Sequence, residues 1–131
     1  MTSDQNIVRL EDYQPYSFEL ESTDLTFDIR ADHTDVESTT SFRRKNDEQN
    51  ELELDGIDLE LLSIAIDNRP LTSNEYSVDS TKLSIVDLPE RFKLTIQTRI
   101  YPQANTALEG LYRSGDLYCT QCEAEGFRKI T

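Results

Sequence analysis

The chain has 131 residues with 26 acidic and 13 basic side chains, a formal net charge of -13 and a pI near 4.3. That length makes one domain with a real core, and without a basic stripe to neutralise phosphates it excludes nucleic acid and anionic membrane surfaces as partners. No apolar run reaches bilayer length, Met1–Asn6 lacks the basic and apolar regions of a secretory signal, and two cysteines suit a reducing compartment, so a cytoplasmic protein is expected.

Residues Met1 to Asp12 are polar with weak periodicity, which predicts a loosely held arm over 1–12 ahead of a β-rich domain over 13–131. Leu25, Phe27 and Ile29 alternate with Thr26, Asp28 and Arg30, the pattern of a half-buried strand. Asp32-His33 reads as a turn and Val36 to Phe42 as the return strand, followed by a charged loop from Lys45 to Asn50. Leu52 and Leu54 restart the alternation until Gly56. The next apolar set, Leu59 and Leu61, then Leu62, Ile64 and Ile66, changes phase between Leu61 and Leu62. A one-residue slip sends every later side chain to the other face, so a β-bulge is predicted at that point, with Asn68-Arg69-Pro70 closing the strand.

Tyr76 and Val78, then Leu83 and Ile85, predict a hairpin around Asp79-Ser80, and Asp87 to Glu90 makes the next corner. Phe92, Leu94, Ile96 and Ile100 face away from Lys93, Thr95, Gln97 and Arg99, the cleanest alternation in the chain. Short, regularly spaced strands and no helical pattern predict an all-β fold, an antiparallel β-sandwich or curled double sheet.

The tail from Asn105 to Arg128 holds the residues that chemistry could use. Cys119 and Cys122 have the spacing of a redox pair or half a zinc ribbon. There is no second such pair and only one histidine, His33, so they are expected to be free, buried thiols, with no metal site in the chain. His33, in Ala-Asp-His-Thr, reads as a solvated turn residue, and a single histidine serves no Ser/His/Asp set. Gln121 and Glu123 are alternate residues and share one side of an extended backbone, with Cys122 turned inward. An amide oxygen beside a carboxylate suits an ammonium group. At an effective dielectric of about 20 a contact near 4 Å is worth roughly 4 kcal/mol before desolvation. The competing assignment is that Glu123 and Glu125 pair with Arg128 on the surface.

The run Ala104-Asn-Thr-Ala-Leu-Glu-Gly-Leu-Tyr112, with Ser114-Gly-Asp116 and Cys119-Thr-Gln-Cys-Glu-Ala-Glu-Gly-Phe-Arg128, closely resembles the bacterial aminopeptidase N (alanyl aminopeptidase) family of zinc exopeptidases. Asp24-Leu-Thr-Phe-Asp28 and Leu88-Pro-Glu-Arg-Phe92 also match that family's N-terminal domain. The resemblance implies a saddle-like β-rich N-terminal domain beside a thermolysin-like catalytic domain. It gives Gln121 and Glu123 the task of holding the free α-amino group of a peptide substrate. The family's H-E-x-x-H zinc motif, its Gly-x-Met-Glu-Asn loop and its transition-state tyrosine have no counterpart before Thr131. Zinc is thus expected in the full-length enzyme and not on this chain, which carries no catalytic residue and is expected to be inactive alone. Its expected partners are the peptide N-terminus and the catalytic domain of the same polypeptide, with dimerisation possible through an exposed docking surface. The rival expectation is a free-standing β-sandwich interaction module with no large exposed apolar face.

Overall fold

A computed structural model describes residues 16–45, 51–123 and 125–131. The arm expected over 1–12 and most of the charged loop from Lys45 to Asn50 lie outside the described residues. Ten strands run through the described residues: β1 (Phe18–Ile29), β2 (Thr34–Arg44), β3 (Leu52–Asp55), β4 (Glu60–Ile66), β5 (Arg69–Pro70), β6 (Tyr76–Val78), β7 (Lys82–Ile85), β8 (Arg91–Ile100), β9 (Gly110–Ser114) and β10 (Leu117–Gln121). Two short 3-10 turns, Pro102–Ala104 and Gly126–Lys129, complete the described structure. The strands form a five-stranded sheet in the order β1-β2-β8-β4-β5, a three-stranded sheet β3-β7-β6 and the hairpin β9-β10, all antiparallel.

The alternation in β8 explains the centre of the large sheet. Phe92, Leu94, Ile96, Thr98 and Ile100 are buried, while Arg91, Lys93 and Gln97 are exposed. Their neighbours across β2 and β4 share that inner face: Phe42 opposite Phe92, Ile64 opposite Ile96 and Ile66 opposite Leu94. The three-stranded sheet covers one end of this face with Leu52, Leu83 and Ile85, forming the larger core. Phe18, Phe42 and Phe92 pack there with ring centroids 5.3–6.2 Å apart. The tail covers the other end, where Val36 and Ile100 meet Leu111 and Ile130.

The expected bulge is present: the β4–β8 register shifts between Leu61 and Ser63, leaving Leu62 as the extra residue and keeping Leu61, Ile64 and Ile66 on one face. The turn after β4 is Asp67-Asn68, with φ of 49° and 67°. Two left-handed residues suit the mirror-image hairpin turn that follows strand twist, and Arg69-Pro70 starts a short return strand rather than ending one. The Asp79 corner also stands, its Oδ1 accepting from the backbone of Thr81 and Lys82 at 2.8 Å each.

β1 departs from expectation. Leu25 is half-buried, but Phe27 is 39% and Ile29 46% exposed, as is Leu20 at 52%. The strand lies at the edge of the large sheet, and the small sheet reaches only its Phe18 end. A groove of about 510 Å³ opens beside it, lined by Leu20, Leu25, Leu61, Ile96, Thr98 and Phe127 among others.

Candidate functional site

The hairpin β9-β10 turns at Gly115-Asp116, with Gly115 at φ 61°, the glycine that such a two-residue turn needs at its first position. Its far end pairs Gly110 with Gln121, the last residue of β10. The chain then leaves the strand. Gly126 N–H donates to Cys122 O at 3.0 Å, Gly126–Lys129 forms the second 3-10 turn, and Ile130, 2% exposed, anchors the end in the smaller core.

Glycine is required twice here. Gly110 has φ 76°, and a Cβ on it would stand 2.9 Å from Lys129 Cβ. A Cβ on Gly126 would overlap Gln121 O outright and lie 3.3 Å from Gly110 N. Two backbones therefore approach at the point where Gln121 is presented. Lys129, 16% exposed along its side chain, fastens the same place to Glu109 at 3.5 Å and Asp58 at 3.8 Å. Ile57 N–H donates to Arg128 O at 2.9 Å, tying the turn to the loop after β3.

Within this frame Gln121 and Glu123 come together, though not by strand alternation, since Glu123 lies in the turn. Glu123 N–H donates to Gln121 Oε1 at 3.2 Å, and both residues are exposed. Cys122 between them packs against the smaller core, as its inward position requires. Arg128 is engaged elsewhere: it meets Glu125 at 2.9 Å and reaches Asp55 at 4.0 Å, and its Nε donates to Glu125 O at 3.1 Å. Among the described residues the Glu123 carboxylate has no ion-pair partner, so the expected surface pairing holds for Glu125 and not for Glu123.

Cys119 and Cys122 are both free and half-buried, and no group of three or more His, Cys, Asp or Glu side chains converges among the described residues. His33 does lie in the β1–β2 turn, but it is less solvated than expected. Its ring is held by Asp32 at 2.7 Å and stands 3.8 Å from Asp35, leaving 22% of the side chain exposed. No helix among the described residues is long and apolar enough to cross a membrane.

No family model matches the chain. It is 48% identical over 130 residues to an aminopeptidase N of Caulobacter vibrioides, covering 99% of this chain and 15% of that protein. It is 44% identical over 131 residues to the Escherichia coli aminopeptidase N, covering 100% and 15%. The chain corresponds to the N-terminal domain of bacterial aminopeptidase N. It spans about 15% of the length of these aminopeptidase N relatives. Among solved structures, Legionella pneumophila aminopeptidase A in complex with aspartic acid matches with a TM-score of 0.84 at 24% identity, over 93% of this chain and 15% of that one. An M1 zinc metallopeptidase from Deinococcus radiodurans matches at 0.67 and 14% identity, over 86% and 28%. These two carry the all-β architecture of the aminopeptidase N domain, and the fold alone.

Proposed function

We propose that this chain is the amine-recognition domain of a cytoplasmic zinc aminopeptidase, in which Gln121 and Glu123 hold the free α-amino group of a peptide substrate. The observation that carries the reading is the Glu123 carboxylate, without an ion-pair partner among the described residues, beside a Gln121 amide whose oxygen is already oriented by Glu123 N–H. An α-amine has a pKa of about 7.7–8.0 and is largely ammonium near neutral pH. The carboxylate supplies the opposite charge, and the second lone pair of Gln121 Oε1 supplies another acceptor. A peptide with a blocked N-terminus would leave Glu123 desolvated and unpaired, so the pair selects exopeptidase substrates. Identities of 44–48% to two aminopeptidase N relatives support the enzyme class.

The described residues offer no donor set that fits zinc. The metal that polarises the scissile carbonyl is assigned to the catalytic domain of the same polypeptide, and this chain's own share is to bind and orient. The exposed apolar edge of β1 and the groove beside it favour a domain that docks on another over a free-standing module with a closed surface.

The test is kinetic, in the full-length enzyme. Glu123→Ala is expected to raise KM and lower kcat/KM by roughly 1.5–3 kcal/mol, about ten- to 150-fold, as for a lost hydrogen bond to a charged group. Unchanged kinetics for that variant sink the assignment.

A further inference from the structure

One side chain bonds the loop before β9 at three points, beside the ion pair that Lys129 makes with Glu109. Asn105 Nδ2 donates to Glu109 O at 2.7 Å and to Leu111 O at 2.9 Å, while its Oδ1 accepts from Ala107 N–H at 3.1 Å. Between and beside these contacts, Leu108 sits at φ 58° and Gly110 at φ 76°. The left-handed region is unfavourable for leucine, so the loop keeps this course only under an outside constraint. The Asn105 amide is such a constraint, and it grips the residues on both sides of Gly110.

Gly110 is in turn the strand partner of Gln121, and its N lies 3.3 Å from where a Cβ on Gly126 would stand. A continuous path therefore runs from the Asn105 amide, through the Gly110 backbone, to the end of β10 and the turn bearing Glu123. We propose that Asn105 is a positioning residue for amine recognition: it touches no substrate and sets the place of Gln121 and Glu123 through Gly110. The proposal rests on the reading of that pair given above.

A double-mutant cycle in the full-length enzyme tests it, with an L-alanine anilide as the probe. Asn105→Ala removes all three bonds and is expected to raise KM about tenfold, equivalent to about 1.4 kcal/mol, with kcat changed by less than about twofold. Glu123→Ala also raises KM, and adding Asn105→Ala to it raises KM little further, because the same interaction is already lost. A purely structural Asn105 behaves differently. It lowers the melting temperature and the amount of active enzyme, and KM stays put.

An unchanged KM in Asn105→Ala, or full additivity in the double variant, overturns the positioning role while a raised KM in Glu123→Ala leaves the amine-binding reading standing. An unchanged KM in Glu123→Ala overturns both. Should Asn105→Ala fail to fold, the same cycle is run with Asn105→Asp. That variant keeps the Oδ1 acceptor and the side-chain shape but sets an anion against the Glu109 and Leu111 carbonyls, and the same results decide.

Discussion

Glu123 and Glu125 differ by two positions and by one arginine. Arg128 neutralises Glu125 and bonds its carbonyl, and among the described residues Glu123 has no ion-pair partner. The geometry depends on Gly126, whose Cα faces Gln121 O with no room for a methyl group. Gly126→Ala is therefore expected to destabilise the chain by about 1–3 kcal/mol, the usual cost of overpacking, and to raise KM in the full-length enzyme. Urea unfolding together with initial rates checks both, and a variant as stable as the parent would show that the turn yields freely. On the outer face of the large sheet, Asp35 receives two hydrogen bonds from Arg99, at 2.7 and 3.1 Å. The Arg99 hydrogen bond holds the Asp35 carboxyl below its usual range, more than partial burial raises it. Glu75, bonded by Arg69 and the Thr72 backbone, and Asp79, bonded by the Thr81 and Lys82 backbone, are lowered too. Each group binds its proton more weakly folded than unfolded. Its contribution is full above the unfolded carboxylate pKa of about 4 and is lost as pH falls through the lower folded value. Thermal melts between about pH 5 and pH 2 should show a shallower acid decline for Asp35→Asn than for the parent; parallel curves would deny Asp35 any part in it.

At the scale of the strand, alternation was legible wherever both neighbours of a strand exist. β8 and β2 sit in the middle of the large sheet, and each inward apolar residue that the pattern marks is buried. The bulge in β4 was legible for the same reason, since two runs of leucine and isoleucine in opposite phase can share one core only if a residue is skipped. β1 misled because alternation identifies an apolar face without saying what covers it, and only the Phe18 end of that face is covered. The geometry of the candidate site was legible in part. The residue types of Gln121 and Glu123 pointed to an ammonium ligand, but the turn that brings them together depends on backbone contacts between Gly110, Gly126 and Gln121. Asn105 was missed, although an Asn ahead of a loop commonly bonds its own backbone two residues on. Its grip on Glu109 and Leu111 exists only once the loop is folded. The bulge gives a sharp prediction. Deleting Leu62 removes the extra residue and leaves Leu61, Ile64 and Ile66 facing inward, so the variant should fold with a loss under about 1.5 kcal/mol. Deleting Ala65 instead turns Ile66 outward and should cost at least about 2 kcal/mol, the burial of one isoleucine. Denaturant midpoints for the two deletions settle the matter, and equal losses would refute the register.

Over the whole molecule, two covers share one five-stranded sheet and leave a gap between them. The three-stranded sheet closes one end, the tail closes the other, and the groove lies between them beside the edge of β1. Leu20, Phe27 and Ile29 all stand more than a third exposed along a 12-residue edge strand. Such an edge offers both apolar surface and unpaired backbone groups, the combination that folded chains normally cover. A catalytic domain docked on this edge, as proposed above, would cover that surface. A net charge of -13 opposes self-association at low salt. Raising salt from about 0.1 M to about 1 M shortens the screening length from roughly 10 to 3 Å and removes most of that repulsion, without weakening apolar contact. Sedimentation velocity should therefore show a monomer at the lower salt and a growing dimer at the higher. Phe27→Lys with Ile29→Lys should abolish the dimer at a modest cost in melting temperature, because both side chains are already partly in water. A chain that stays monomeric at high salt, or dimerises equally well with the two lysines, would mean that the β1 edge is an ordinary solvated surface. The docking role would then have to be sought on another face.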